Sequence, residues 1–440
     1  MKASFYRGYS LTVLLLLLSC NYMDRLAMGL VLQNIKMDLA LTDTQLGFLN
    51  GIAFALFYSV MGIPIARWAD RGNRITIISL TAAIWSVMVF ICGRVANFTQ
   101  LLVVRIAVAV GEAGCIPPAQ SLIADDFPRA ERPRALAIYM LGGPLSVLFG
   151  YFLAGWLNEF YGWRAMFMLL GAPGMFLAVL TWLTLKEPRA LRQIPLAVRR
   201  NTAAISRPQA SVKEVCNTLW ANSTFRHLLL NFSVTYFFGY GILQWQPSFF
   251  VRSYGLTTGE LGSWFALIYG LGGIVGTYLG GELASRYAAH NERRQLNATA
   301  AAFAGYGLAI SLAYLSHNPY IAFGLMSVGA IGVSMANGPL FATIQTLVPQ
   351  RMRATAIALI YLFANLIGMG LGPLAVGVLS DAFHAWAGNE SLRYALLALC
   401  PGYLWAGWHL WKAAQTVERD LSERGDEDNF ADDEVAPATL

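Results

Sequence analysis

Four ionisable residues lie inside stretches of the sequence that are otherwise apolar. Arg105 and Glu112 fall in the run LLVVRIAVAVGEAG, seven residues apart and therefore on the same face of a helix. Asp24 and Arg25 interrupt a second run, LLLLLSCNYMDRLAMGLVL. A charge at the centre of a bilayer costs roughly 3 kcal/mol on insertion scales, so such residues usually face a protein-lined or water-filled path. This pattern is typical of a transporter.

The composition indicates that these helices lie in a membrane. The chain has 440 residues, of which 56% are hydrophobic and only 13% charged, and its mean hydropathy is +0.51. Soluble domains carry about 25% charged residues. The pI of about 9.0 does not indicate a nucleic-acid partner, because the basic residues are spread over short loops.

The sequence predicts no metal, cofactor or ATP-driven step. The five cysteines and five histidines are scattered, without the spacing of a metal site. No nucleotide-binding loop and no nucleophile–base constellation occurs in the sequence, which also argues against an enzyme.

Twelve segments are long and apolar enough to cross a bilayer as helices of about 20 residues. They are 9–33, 44–68, 75–94, 98–124, 135–158, 164–185, 227–251, 258–284, 296–316, 320–347, 354–380 and 391–412. The first resembles a signal peptide, but its apolar helix continues past Cys20 to Leu32, so we interpret it as an uncleaved span.

The distribution of basic residues predicts the orientation. With a cytoplasmic N-terminus, 24 of the 31 Lys and Arg residues lie on the cytoplasmic side, five lie outside and two are buried. Both termini are therefore expected in the cytoplasm, and a cell (inner) membrane location is predicted. The predicted domains are an N-terminal six-helix bundle, a cytoplasmic linker, a C-terminal six-helix bundle and a disordered acidic tail, at 1–185, 186–226, 227–413 and 414–440.

The two halves of the chain resemble one another. LTDTQLG at 41–47 aligns with LTTGELG at 256–262, an offset of 215, and RALAI at 134–138 matches RATAI at 353–357. Gly150 and Gly155 likewise correspond to Gly372 and Gly377. The predicted fold is an all-α membrane protein of twelve transmembrane helices in two pseudo-symmetric bundles. This layout resembles the major facilitator transporters, in which the substrate site lies between the halves near mid-membrane.

The loop after the second span, ARWADRGNR, resembles the GxxxDRxxR signature of that superfamily, with Ala66 in place of glycine. Asp70, Arg71 and Arg74 are predicted to form a charged latch between the halves on the cytoplasmic side. The alternative is ordinary positive loop charge. The second copy of the motif, GELASR, has Ser285 in place of the acid, so a weaker latch is expected there.

Counting along the spans places Asp24 and Arg105 at similar depth, roughly 10–12 Å from the outer end, so the two side chains are expected to meet. Glu112 lies about two turns deeper. The second half carries no charge at the positions that correspond to these residues, which are Gly239, Tyr240, Met326 and Val333. This asymmetry favours proton coupling by Asp24 and Glu112. The alternatives are a salt bridge that only fixes packing, and a Glu112 that stays protonated on backbone.

Three motifs together resemble the Spinster family within this superfamily: NYMDRLAMG, RxxxAxGEAG from Arg105 to Gly114, and the ARWADRGNR loop. The match covers most of the chain and is strongest over 20–165, with Ala66 and Ala109 as departures from the signatures. The resemblance implies export of lysophospholipids or sphingosine-1-phosphate, coupled to protons in several members. It also implies that Asp24, Arg25, Arg105 and Glu112 occupy coupling and head-group positions.

An amphiphilic substrate agrees with the residues themselves. Arg25 and Arg105 could bind a phosphate, and aromatic side chains could line the apolar part of a cavity. The aromatic candidates are Tyr22, Tyr236, Tyr240 and Trp245, with packing or lipid contact as the alternative role.

The sequence thus favours a monomeric, proton-coupled, alternating-access transporter of a lysolipid or sphingolipid, surrounded by membrane lipids. The competing hypotheses are a major facilitator carrier for a small organic anion or drug and, with less support, a non-transporting receptor or lipid enzyme.

Overall fold

The computed structural model describes residues 3–128, 130–188, 212–288, 291–348 and 352–433, and within these ranges the chain is helical without a strand. The first half contains α1 (Ala3–Leu30), α2 (Leu32–Leu39), α3 (Asp43–Asn50), α4 (Ile52–Arg71), α5 (Arg74–Cys92), α6 (Phe98–Glu112), α7 (Ile116–Asp126), α8 (Arg132–Met140) and α9 (Gly142–Thr184). The second half contains α10 (Val212–Ala221), α11 (Ser223–Tyr254), α12 (Thr258–Phe265), α13 (Gly272–Tyr287), α14 (Glu292–Leu315), α15 (Pro319–Ser334), α16 (Asn337–Leu347), α17 (Arg353–Phe363), α18 (Gly370–Ala387), α19 (Ser391–Leu399) and α20 (Pro401–Asp433). Two π-helical stretches, Ala266–Leu271 and Ala364–Met369, continue α12 into α13 and α17 into α18.

The described helices account for the twelve predicted spans. Nine continuous stretches are long and apolar enough to cross a membrane in the described part of the chain. Two of them, Arg132–Thr184 and Thr355–Glu423, have 53 and 69 residues, more than twice the length that one span needs. Each contains a glycine in the left-handed region, Gly162 at φ 78° and Gly388 at φ 55°, which separates two spans. Dividing these two stretches gives eleven spans, and α11, which has 32 residues, is the twelfth.

The internal repeat predicts the same helix start in both halves, and the structure shows it. Thr42 and Thr257 each accept a hydrogen bond from the backbone three residues ahead, and the side chains of Gln45 and Glu260 bond back to them. Such capping boxes satisfy N–H groups that the first helical turn leaves free. The motifs LTDTQLG and LTTGELG therefore fix where α3 and α12 begin.

The chain divides into two compact units. The first comprises Met1–Asn201, Gly239–Leu271 and Asn365–Leu399, as far as these residues are described. The second comprises Thr202–Phe238, Gly272–Ala364 and Cys400–Leu440, with the same restriction. The first unit thus contains segments from both halves of the sequence. Most of the predicted linker, 189–211, lies outside the described residues, and the predicted domain boundaries stay predictions.

The last helix continues past residue 414, where the predicted acidic tail begins, and disorder of that tail stays a prediction. α20 continues to Asp433, and residues 434–440 lie outside the described part. Its extension past the last span packs within the second unit, where Val417 is fully buried. The Asp420 carboxylate accepts the backbone N–H of Thr224 at 2.8 Å, which caps the first turn of α11. This cap holds the extension in place.

Candidate functional site

Asp24 on α1 and Arg105 on α6 form a buried ion pair. Arg105 Nη1 donates to Asp24 Oδ2 at 2.9 Å, and both side chains are almost completely buried, 1% and 2% exposed. Counting residues along two straight helices predicted this contact, and the structure confirms it. A buried ion pair of this kind is costly to break, because the remaining charge has no partner.

Arg25 and Glu112 form a second pair beside the first. Arg25 Nε donates to Glu112 Oε2 at 2.6 Å, and Glu112 is the last residue of α6. The Arg25 guanidinium also lies 4.5 to 5.1 Å from the ring centres of Tyr22, Phe54 and Tyr58, a cation–π arrangement. We call Asp24, Arg25, Arg105 and Glu112 the four-charge cluster, which has no net charge when all four residues are ionised.

Arg25 is the most accessible member of the four-charge cluster. Its side chain is 12% exposed, and its Nη1 lies 4.0 Å from the sulfur of Met369, which belongs to the second half of the sequence but to the same compact unit. Arg105 is enclosed by the first half and also contacts the Phe54 ring at 5.2 Å. Arg25 is therefore more accessible to a ligand than Arg105.

Each acid of the four-charge cluster keeps one unbonded oxygen. Asp24 Oδ1 and Glu112 Oε1 are buried and accept no hydrogen bond from the residues that the structure describes. The Asn21 amide, one helical turn before Asp24, is likewise buried without a partner there. Buried polar atoms are normally hydrogen-bonded, so exceptions grouped at one point indicate a functional region.

One end of the first unit contains residues 31–43, and we call it the predicted outer end. A second group of charges lies there. Asp43 at the start of α3 accepts two hydrogen bonds from Arg252, both at 2.7 Å, and one from Lys36 at 2.6 Å. The Ser380 hydroxyl donates to the same carboxylate at 2.6 Å. The Asp381 carboxylate accepts the backbone N–H groups of Asp43 and Thr44, at 3.1 and 2.8 Å. We call these contacts the outer closure.

The internal repeat produces a counterpart to the outer closure in which a threonine takes the place of the acid. Thr258 at the start of α12 corresponds to Asp43, and its hydroxyl oxygen accepts a hydrogen bond from the Asn158 amide at 2.8 Å. At both places the helices touch without side chains between them. A Cβ atom on Gly377 would lie 2.3 Å from the Asp43 carbonyl oxygen, and one on Gly155 would lie 2.4 Å from that of Thr258. Helices of both halves therefore pack closely at the predicted outer end.

The predicted latch residues separate into two environments. Arg74 is fully buried, and its guanidinium binds the carboxylates of Glu187 and Asp125, the latter at 2.7 Å, and the backbone oxygen of Ser121 at 2.8 Å. All of these partners belong to the first unit. Asp70 and Arg71 end α4 with exposed side chains. Arg74 therefore joins segments of the first unit, and the latch between the halves stays a prediction.

The aromatic candidates differ in accessibility. Tyr22, Tyr236 and Tyr240 are partly exposed, and Tyr22 contacts Arg25. Trp245 is fully buried, and its indole N–H donates to the Pro373 carbonyl at 2.9 Å. The structure thus shows a packing contact for Trp245, while substrate binding by these four residues stays a prediction.

Sequence reasoning missed the outer closure and the partners of Arg74. The signal for the closure was present in the repeat, because LTDTQLG has an acid at the third position where LTTGELG has a threonine. The partner of Arg74 had no comparable signal, since Glu187 lies 113 residues away in a polar segment. No cluster of three or more potential metal ligands occurs among the described side chains.

Comparison with known proteins identifies the class of protein that this fold and site define. Residues 14–411 match the Major Facilitator Superfamily. A solved structure described as a bacterial homologue of the human lysosomal transporter Spinster, in an inward-facing and unoccupied conformation, is 30% identical, with a TM-score of 0.82 over 94% of this chain and 98% of that one. An MFS-type efflux pump of Mycolicibacterium smegmatis is 31% identical over 93% of both chains. A probable L-galactonate transporter of Escherichia coli is 26% identical over 83% of this chain and 81% of its own.

The chain belongs to the major facilitator superfamily, and it is a multi-pass membrane transporter, not an enzyme. Within the superfamily it is a transporter of the Spinster type. The predicted fold class and the predicted family resemblance are both confirmed.

Proposed function

We propose that this transporter moves an anionic single-chain lipid, such as a lysophospholipid or a sphingosine-1-phosphate-like molecule, by proton-coupled alternating access. The four-charge cluster carries this proposal. It combines a partly exposed cation, Arg25, with two buried acids that each have an unbonded oxygen. A cation can hold the anionic head group, and the acids can exchange a proton when the pairing changes.

The chemistry follows from the geometry of the two ion pairs. A phosphate that binds Arg25 competes with Glu112, whose carboxylate accepts from the same guanidinium at 2.6 Å. When Glu112 loses this partner inside the protein, its charged form is no longer compensated, so protonation becomes favourable. Substrate binding and proton uptake are thereby coupled through one side chain. Asp24 is adjacent to Arg25, and Arg105 lies two helical turns from Glu112. The ion pair of Asp24 and Arg105 therefore extends the coupling further within the first half.

The outer closure supports the alternating-access part of the proposal. Its contacts join helices of the two sequence halves at one end of the first unit, and release of the substrate at that end requires them to break. Asp70 and Arg71 are proposed to do the equivalent at the other end. The basic-residue count places the termini in the cytoplasm, and we propose a monomer in the cell (inner) membrane.

A small organic anion is the second candidate substrate. It is supported by the similarity to a relative named as a probable L-galactonate transporter, and the same Arg25 would bind its carboxylate. The partly exposed tyrosines near the cluster, Tyr22 and Tyr240, favour an amphiphile, because a sugar acid has no apolar chain to place against them.

Transport by the purified protein in proteoliposomes with an imposed pH gradient tests the proposal. A labelled lysophospholipid, a sugar acid and a cationic drug are offered separately, each with and without the gradient. We expect gradient-dependent movement of the lysophospholipid, and no gradient-dependent movement of the sugar acid. Gradient-dependent movement of the sugar acid alone would favour the second candidate substrate over the lipid. Movement that does not depend on the gradient would contradict proton coupling.

A further inference from the structure

A groove of about 430 Å³ lies in the second unit, far along the sequence from the four-charge cluster. We call it the inner groove, because it is at the end of α13 and the start of α14, which the charge count places at the cytoplasmic end of the bundle. Its lining includes Gly280, Ala284, Tyr287, Arg294, Ala298 and Met335. The volume is within the roughly 300–1,000 Å³ of small-molecule sites.

The inner groove exists because small residues line it. α13 and α14 each pack against α15 and α16 more than against each other, which leaves a gap between them. On one side of this gap the backbones touch, since a Cβ atom on Gly280 would lie 2.1 Å from the Met335 carbonyl oxygen. Alanines such as Ala284 and Ala298 form much of the walls.

The corresponding place in the first half is filled. At the repeat offset of 215, Gly280 corresponds to Ile65 and Ala284 to Ala69. The matching N-caps Asn73 and Asn291 place Gln295 opposite Ile77. Ile65, Ala69 and Ile77 belong to one buried apolar cluster, against which Tyr58 and Met61 pack. The groove is therefore specific to the second half and does not follow from the fold alone.

Arg294 is the cation at the end of this apolar groove. The neighbouring arginines have acidic partners, Arg286 with Glu282 at 2.5 Å and Arg293 with Glu418 at 3.4 Å. The exposed guanidinium of Arg294 has no ion pair within the part of the chain that the structure describes. From Arg294 to Ala302, the far end of the lining on α14, is eight residues, about 12 Å of helix.

We propose that the inner groove holds one acyl chain of an anionic phospholipid from the cytoplasmic leaflet, with its phosphate on Arg294. Apolar walls with a single cation at the membrane surface complement an anionic head attached to a hydrocarbon chain. The lipid is a resident ligand of the second unit and not the transported substrate, because the groove contains none of the four charges that bind and couple the substrate. Its occupancy stabilises the packing of α13 and α14 over α15 and α16.

Lipid binding to the delipidated, full-length protein tests the proposal, with phosphatidylglycerol and phosphatidylcholine of identical acyl chains as probes in native mass spectrometry. Arg294→Gln is expected to weaken phosphatidylglycerol binding about fivefold, the worth of one basic residue near a lipid surface. It should weaken phosphatidylcholine binding less, because the choline cation of that lipid neutralises its phosphate. Arg293→Gln is the matched control, since Arg293 is adjacent and exposed but lies outside the lining. This variant should leave the binding of both lipids unchanged.

A second variant tests the acyl chain. Ala298 is exposed on the groove wall, so Ala298→Phe fills the groove without disturbing a buried contact, which the thermal unfolding midpoint verifies. It should reduce binding of both lipids, and glycerol phosphate, a head group without a chain, should not compete. The proposal is overturned if Arg293→Gln weakens binding as much as Arg294→Gln, if Ala298→Phe binds like wild type, or if glycerol phosphate displaces the lipid. Displacement of phosphatidylglycerol from the groove by the transported lysolipid would assign the site to the substrate instead.

Discussion

Asp24→Asn separates proton coupling from packing. The substitution keeps the shape of the side chain and removes its titratable group. It also leaves Arg105, 1% exposed, without the carboxylate that binds it at 2.9 Å. Removing one partner of a buried pair destabilises by about 3–5 kcal/mol, because the remaining charge stays buried. We expect a folded but less stable protein that no longer transports in response to a pH gradient.

The double variant Asp24→Asn/Arg105→Gln removes both charges and replaces them with two amides that can bond to each other. Most of the lost stability should return, so that the interaction energy in the double-mutant cycle reaches about 2 kcal/mol or more. Proton-driven transport should not return, because no titratable group has been restored. Stability and transport thus respond differently to the second substitution.

Thermal unfolding of the purified variants in detergent gives the stability arm, and uptake of a labelled lysophospholipid in proteoliposomes gives the transport arm. Asp38→Asn is the matched control, since Asp38 pairs with Arg164 at 2.8 Å with both side chains more than a third exposed. Its effect on stability should be below about 1 kcal/mol. Normal pH dependence in Asp24→Asn would remove Asp24 from the proposed proton path and leave Glu112 as the acid that carries the coupling. Recovery of proton-driven transport in the double variant would show that the pair is architectural.

Substitutions at Arg25, Asp43 and Asp70 test the other parts of the site. Arg25→Ala should abolish binding of the labelled lysophospholipid, and Arg25→Lys should restore only part of it, because one ammonium group cannot make the bidentate contact of a guanidinium; wild-type affinity in Arg25→Ala would contradict the head-group assignment. Asp43→Asn should raise the fraction of molecules open at the predicted outer end about tenfold or more, since charged hydrogen bonds contribute about 1.5–3 kcal/mol each; spin-label distances across that end measure this, and Thr258→Val should change them much less. Asp70→Asn should shift the population toward molecules open at the cytoplasmic end, and an unchanged distance distribution between labels on the two halves there would argue against the latch.

Sequence reasoning succeeded where local patterns carry the information. Apolar segment lengths and the repeat predicted the twelve helices, and residue counting along α1 and α6 predicted that Asp24 meets Arg105. Both depend on helix geometry, which has a fixed rise per residue. The capping motifs that begin α3 and α12 are similarly local.

The missed features depend on which helix faces meet in three dimensions. The sequence placed Arg105 and Glu112 on one face, yet Glu112 binds Arg25, because the neighbouring residues Asp24 and Arg25 point to different turns of α6. Arg252 meets Asp43 across 209 residues, and no single-sequence pattern relates the two. After residue 414, packing of Val417 and the cap made by Asp420 extend α20, which the acidic composition alone does not indicate.

The glycine contacts at the predicted outer end have a consequence for the speed of the conformational cycle. Where Gly377 and Gly155 meet carbonyl oxygens directly, the touching surfaces are backbone and have no rotamers to select. Such surfaces can separate and rejoin without a search through side-chain conformations, so little entropy is lost at each closure. The slow step of opening should then be the rehydration of the single buried carboxylate, Asp43, and its two cations. Turnover would accordingly be limited by one polar contact, and the enthalpy of activation should fall when that contact is neutralised.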